Sequence, residues 1–229
     1  MYTIHVNSVP QSTFKFFFMT QEQDHLKTLT EIKSLMEQSS RFLSLSGLSG
    51  IFAGIFALLG ASVAYFYMDI GFLDDRYYDQ AIIDARLNLN FILFFLADAM
   101  VVLGLALSVG FYFTYRNARK KGMAVWTRAT KRFMGHVLIP LITGGIFCVL
   151  LVFNHVVYLV APVTLIFYGI ALINGSKFTH TDIRYLGISE IILGLLGCLF
   201  VGYGLIIWAL GFGVLHIIYG TVMYYRHER

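Results

Sequence analysis

Residues Ser39–Gly54 read SSRFLSLSGLSGIFAG. An arginine stands at the edge of a long apolar run, and the first turns of that run are Ser and Gly rather than Leu and Ile. Ser46, Gly50 and Gly54 recur every four residues, so on a helix they share one face. Ala57 and Ala61 extend the stripe. Helices in lipid associate by close packing and hydrogen bonding, not by water exclusion, and small residues let two backbones approach. The stripe is therefore read as a face for another helix.

The run that carries it, 43–68, is one of six; the others are 90–115, 133–153, 156–174, 186–203 and 205–225. Each has about the length that crosses a bilayer as a helix, ~17–25 residues. Mean hydropathy is +0.71, with 58% hydrophobic and 13% charged residues, against about a quarter charged in a soluble domain. The runs are unbroken rather than alternating, which excludes a membrane β-barrel. The expected fold is all-α: a polytopic integral membrane protein with six transmembrane helices.

Charge sets the expected orientation. Seven of the 17 Lys and Arg lie in the segment Arg116–Arg132, RNARKKGMAVWTRATKR, with no acid among them. Beside apolar spans this is the positive-inside pattern. With that loop in the cytoplasm, only Arg76 and Arg86 fall outside, and Asp69, Asp74, Asp75, Asp79 and Asp84 lie there with them. Both termini are then cytoplasmic, in what is read as a bacterial cytoplasmic membrane. The same pattern argues against nucleic acid as a partner and for membrane lipids, with weak attraction to anionic headgroups. A homo-oligomer or a membrane partner is the other partner expectation.

The odd-numbered spans open alike. Arg41-Phe42-Leu43-Ser44, Arg132-Phe133-Met134-Gly135 and Arg184-Tyr185-Leu186-Gly187 are each followed by a glycine thirteen residues after the arginine: Gly54, Gly145 and Gly197. The even spans close alike, with Gly110 six before Arg116 and Gly220 six before Arg226. Gly169 stands six before Gly175, where the arginine is missing. This reads as three tandem hairpins of one orientation, 43–115, 133–174 and 186–225, related by an axis along the membrane normal. Gly145 and Gly197 join Ser46, Gly50 and Gly54 as expected packing positions. Mitochondrial carriers also have three hairpins, but none of the odd spans here carries their Pro-x-acid-x-x-base signature.

Ahead of the spans, residues 1–19 read as an extension with Met19 as an alternative start. Residues 20–42 read as an amphipathic cytoplasmic helix: Thr20 and Gln23 fit a capping box, and Leu26, Leu29, Ile32 and Met36 share a face.

Against a symmetric scaffold, the polar exceptions are candidates for function. His136, Glu190 and His216 lie on three helices, ~6, ~9 and ~15 Å from the nearest cytoplasmic arginine at 1.5 Å per residue. Ionisable groups inside a span are costly and mark cavities or proton relays. The expectation is a polar cavity open to the cytoplasm. Asp98, ~27 Å from Arg116, belongs at the outer side. Pro140 and Pro162 fall inside spans and could widen the space beside His136.

A small-solute or proton-linked transporter, or a ligand-sensing membrane protein, is the preferred reading. An intramembrane enzyme is the second. Two His and one carboxylate form many zinc sites, but no H-E-x-x-H or G-x-S-x-G stands in the chain. A structural or partner-binding subunit is the third. Cys148 and Cys198 sit within spans and suggest packing rather than metal, and no cofactor is implied.

Overall fold

The structure, a computed structural model, describes residues 45–69, 75–83, 86–122 and 124–229. The expected extension 1–19, the helix 20–42 and the Arg41 motif lie outside the described residues. The described chain is all-helical apart from one two-stranded hairpin. Helix α1 is Gly47–Met68, α2 Leu89–Lys120, α3 Arg128–Phe153, α4 Val160–Ser176 and α5 Asp182–Leu199. The last segment, Val201–His227, is broken into α6 (Gly204–Trp208), a π-helical stretch (Ala209–Leu215) and α7 (His216–His227).

Five of these segments have the length and apolarity of membrane spans: α1, α2, α3, Val157–Ser176 and Val201–His227. Helix α5 is 18 residues long and carries Asp182, Arg184 and Glu190, which sets it apart from the other five.

Local chemistry fixes several boundaries. Asn88 caps α2, its side chain accepting from the Phe91 amide at 3.4 Å. Thr127 and Thr130 form a capping box at the start of α3. Pro140 lies in the middle of α3. Pro162 differs from the expectation: it is the third residue of α4, in a first turn where a missing N–H costs little.

The stripe on α1 packs inside the chain, against the last segment. A Cβ on Gly220 would lie 2.5 Å from the Ile51 nitrogen and 2.6 Å from the Gly47 carbonyl oxygen. One on Gly54 would lie 2.5 Å from the Gly213 oxygen. Helices α4 and α5 cross in the same way, with a Cβ on Gly169 2.5 Å from the Gly187 oxygen and one on Gly187 2.7 Å from the Gly169 oxygen. The other face of α1 reaches α2, where Gly60 admits Val102 and Asp98. Asp98 thus borders α1, half-buried.

Helix α2 rests on α1, and α3 rests on α4, while the last segment lies between α1 and the α4–α5 pair. In the hairpin α5–Val201–His227 the two arms meet less extensively than α5 meets α4. The close contacts therefore join α4 to α5 and α1 to the last segment as much as they join α1 to α2 and α3 to α4. Gly197 packs on Pro162, 3.1 Å from where its Cβ would be. Gly145 does not pack: it is exposed with nothing within 4 Å. Its neighbour Gly144 does, its Cβ position lying 2.5 Å from Phe167 Cβ, because α3 turns that face to α4. Gly144→Ala is expected to cost about 1–3 kcal/mol through overpacking. Gly145→Ala should be neutral or mildly stabilising, because alanine is the better helix former. Thermal unfolding of the two variants in micelles compares them directly.

One end of the molecule gathers the start of α1, the end of α2, the start of α5 and the end of α7. Asn117 donates to the Leu45 carbonyl at 3.4 Å. Glu228 accepts from the Ser46 hydroxyl at 2.9 Å and from the Gly47 amide, so a carboxylate sits on the positive end of α1. Asp182 accepts from Arg226 at 2.8 Å and His227 at 2.9 Å. The final turn of the chain thereby ties the first turns of α1 and α5. At the opposite end Met68, Ala81 and Phe91 form a buried cluster with Tyr78, Val157 and Leu205, closed by strands β1 (Ile82–Ile83) and β2 (Arg86–Leu87).

Asp182 is the first residue of α5, ahead of its apolar part. Burial pushes its carboxyl up, but the His227 hydrogen bond and the Arg226 charge outweigh this and hold it below its ordinary value of 3.8. A carboxyl lowered on folding contributes stability in full above that ordinary value and loses it as pH falls through the folded value. The gap in melting temperature between wild type and Asp182→Asn should therefore be open above the ordinary carboxylate range. It should close in acid below the ordinary carboxylate range.

Candidate functional site

The polar interior is built where α4, α5 and the last segment meet. Glu190 on α5 is fully buried and His216, at the first position of α7, is 6% exposed. Glu190 Oε1 lies 3.3 Å from His216 Nδ1, and that same nitrogen is 3.1 Å from the Gly211 carbonyl oxygen. A carbonyl can only accept, so Nδ1 carries a hydrogen. The other ring nitrogen, Nε2, is 2.7 Å from the Tyr168 hydroxyl on α4. The result is a three-residue chain, Glu190–His216–Tyr168, with the imidazole in the middle.

The π-helical stretch makes room for this chain. Wider winding takes carbonyls out of the ordinary i→i+4 ladder, and single π turns recur at functional sites. Here the Gly211 oxygen is met by a side chain five residues on. Gly211 also has no side chain to spare: a Cβ there would lie 2.6 Å from Glu190 Oε2 and would collide with Leu165. Phe212 lies against Tyr168, ring centroids 5.0 Å apart, and against His216 at 5.9 Å. These contacts fix both rings.

Neither Glu190 oxygen has a hydrogen bond of good geometry among the described residues, although the His216 contact is within ion-pair distance. A buried carboxylate with so few donors is costly unless it is paired or protonated. One proton can settle the site in two ways: on Glu190 with a neutral imidazole, or on His216 as an ion pair. In the first form Nε2 accepts from Tyr168. In the second it donates to it. The tyrosine hydroxyl can reverse its role by rotation, so the chain can accept a proton at one end and release it at the other.

His136 is not part of this cluster. It lies on an exposed face of α3, its Nδ1 2.8 Å from the Arg132 carbonyl and its ring 4.5 Å from Phe178. Helix α3 packs on α4 through its Phe133, Val137 and Gly144 side, and His136 points elsewhere. The pair Glu190 and His216 is sealed rather than open to one side. Among the described residues no three His, Cys, Asp or Glu side chains come together as metal ligands.

Tyr168, Gly211 and the π stretch escape a reading based on unusual charges. Their signals were present: Tyr168 and Tyr219 both stand one residue before a closing glycine, and Gly211-Phe212-Gly213 puts two glycines inside one span. Tyr219 has a buried hydroxyl without a hydrogen bond among the described residues, within electrostatic reach of both Tyr168 and Asp182.

No family model matches the chain, and neither the curated proteins nor the solved structures hold a match to it.

Proposed function

We propose that this is a six-span protein of a cytoplasmic membrane, three like-oriented hairpins with both termini inside, that moves a small solute in step with a proton. Glu190, His216 and Tyr168 are the proton-handling groups. The observation that carries this reading is a fully buried carboxylate 3.3 Å from a buried histidine, beside a π-helical break in the same segment. Ionisable groups are retained inside spans mainly where they bind or relay. Histidine is suited to charge changes near neutral pH. Tyr219 supplies a route from Tyr168 toward Asp182 and the surface at the end where the chain terminates.

The test is reconstitution into liposomes loaded with a pH-reporting dye, with monocarboxylates, amino acids and sugars added in turn. One class is expected to drive a proton flux that Glu190→Gln abolishes and Tyr219→Phe slows. Wild-type vesicles no faster than empty ones for every class, or a Glu190→Gln flux equal to wild type, would refute the proposal.

A further inference from the structure

We propose that the seam between α2 and α3 is a binding site for an anionic phospholipid. The phosphate is held by the basic ends of the two helices, and the acyl chains lie along their bare faces. This rests on membrane embedding but not on the role of Glu190.

The two other junctions between hairpins are sealed by glycines, Gly169 on Gly187 and Gly220 on Gly47 and Gly50. The corresponding glycines at the α2–α3 junction are Gly110 and Gly135. Gly110 has only Ser49 Cβ near, at 3.8 Å, and Gly135 is exposed with nothing within 4 Å. Although consecutive in the chain, α2 and α3 do not pack along each other. Each buries one stripe, on α1 and on α4 respectively, and Gly104, Leu107, Ile142 and Gly145 are among the residues left exposed. Between Lys120 and Arg128 the chain can span at most about 29 Å fully extended, whereas packed helices lie about 8–10 Å apart. The connecting segment therefore holds the two basic ends within about 29 Å of one another without requiring the helices to touch.

Charge selects the occupant. Arg116 and Arg119 on the last turns of α2, and Arg128, Lys131 and Arg132 on the first turns of α3, are all exposed. No Asp or Glu occurs between Asp98 and Asp182. Basic clusters between spans at the cytoplasmic side are suited to anionic headgroups. Trp126, 65% exposed in the connecting loop, is placed as an interfacial anchor and a reporter.

The experiment uses the full chain carrying Trp208→Phe, so that Trp126 is the sole tryptophan, in phosphatidylcholine nanodiscs. A small fraction of brominated phosphatidylglycerol or brominated phosphatidylcholine serves as quencher. Phosphatidylglycerol is expected to quench far more strongly at equal fraction. Arg128→Gln/Lys131→Gln/Arg132→Gln should weaken that preference by up to about a hundredfold, given roughly fivefold per cation near a surface. Gly135→Leu, which fills the seam and leaves every charge in place, should weaken it as well.

Equal quenching by the two lipids, or none by either, would overturn the proposal. So would a preference untouched by Gly135→Leu, which would assign the attraction to the loop alone. A Gly135→Cys protein that forms disulfide dimers across copies in the bilayer would give the seam to a second copy instead. Native mass spectrometry of wild-type protein from micelles holding both lipids makes the same comparison without Trp208→Phe.

Discussion

Gly220→Ala is expected to remove a large part of the protein's stability, and Gly220→Leu to leave no folded protein. The added Cβ would stand 2.5 Å from the Ile51 nitrogen, 2.6 Å from the Gly47 oxygen and 2.9 Å from the Gly50 carbonyl carbon. All three are backbone atoms, so no rotamer change relieves the clash and α1 must leave α7. Overpacking costs about 1–3 kcal/mol where side chains can yield, and more where they cannot. Against a total of roughly 5–15 kcal/mol, the alanine alone is a severe lesion. Gly104→Ala, in open space on α2, is the matched control and should be neutral or better. The yield of monodisperse protein and its melting temperature give the comparison.

His216→Ala should cost about 3–5 kcal/mol, because it strands a carboxylate that is fully buried. It also removes the partner of Tyr168 and of the Gly211 carbonyl. The double variant Glu190→Gln/His216→Gln should recover much of that loss, since a neutral pair needs no counter-charge. A single-site loss that the double variant does not relieve would mean that His216 acts through packing alone. Melting curves of the single and double variants, with wild type, complete the cycle.

Much of the scaffold is legible in the residues. Unbroken apolar runs leave few alternatives to long helices, and the four-residue spacing of Ser46, Gly50 and Gly54 announced a close crossing whose partner proved to be the last segment. The site is half legible. Glu190 and His216 stand out as ionisable residues in apolar runs, and they meet. His136 stands out equally, yet it faces outward, because the sequence fixes its depth along α3 but not its azimuth relative to α4. Gly145 differs from Gly144 for the same reason: a shift of one residue turns a helix by about 100°. Tyr168 is hidden by its ordinariness, as one aromatic residue among many in an apolar run. The π stretch is hidden because it depends on what the neighbouring helices demand of the backbone, not on composition. The connection between α1 and α2 also holds more structure than its acids suggest, since Ala81 and Phe91 bury against Met68 beside two short paired strands.

The most direct measurement is infrared difference spectroscopy of the reconstituted protein between acidic and alkaline buffer. The account predicts a protonated-carboxyl band that changes across that range, moves on isotopic labelling of glutamate and is missing from Glu190→Gln. A spectrum of Glu190→Gln identical to that of wild type throughout would contradict it.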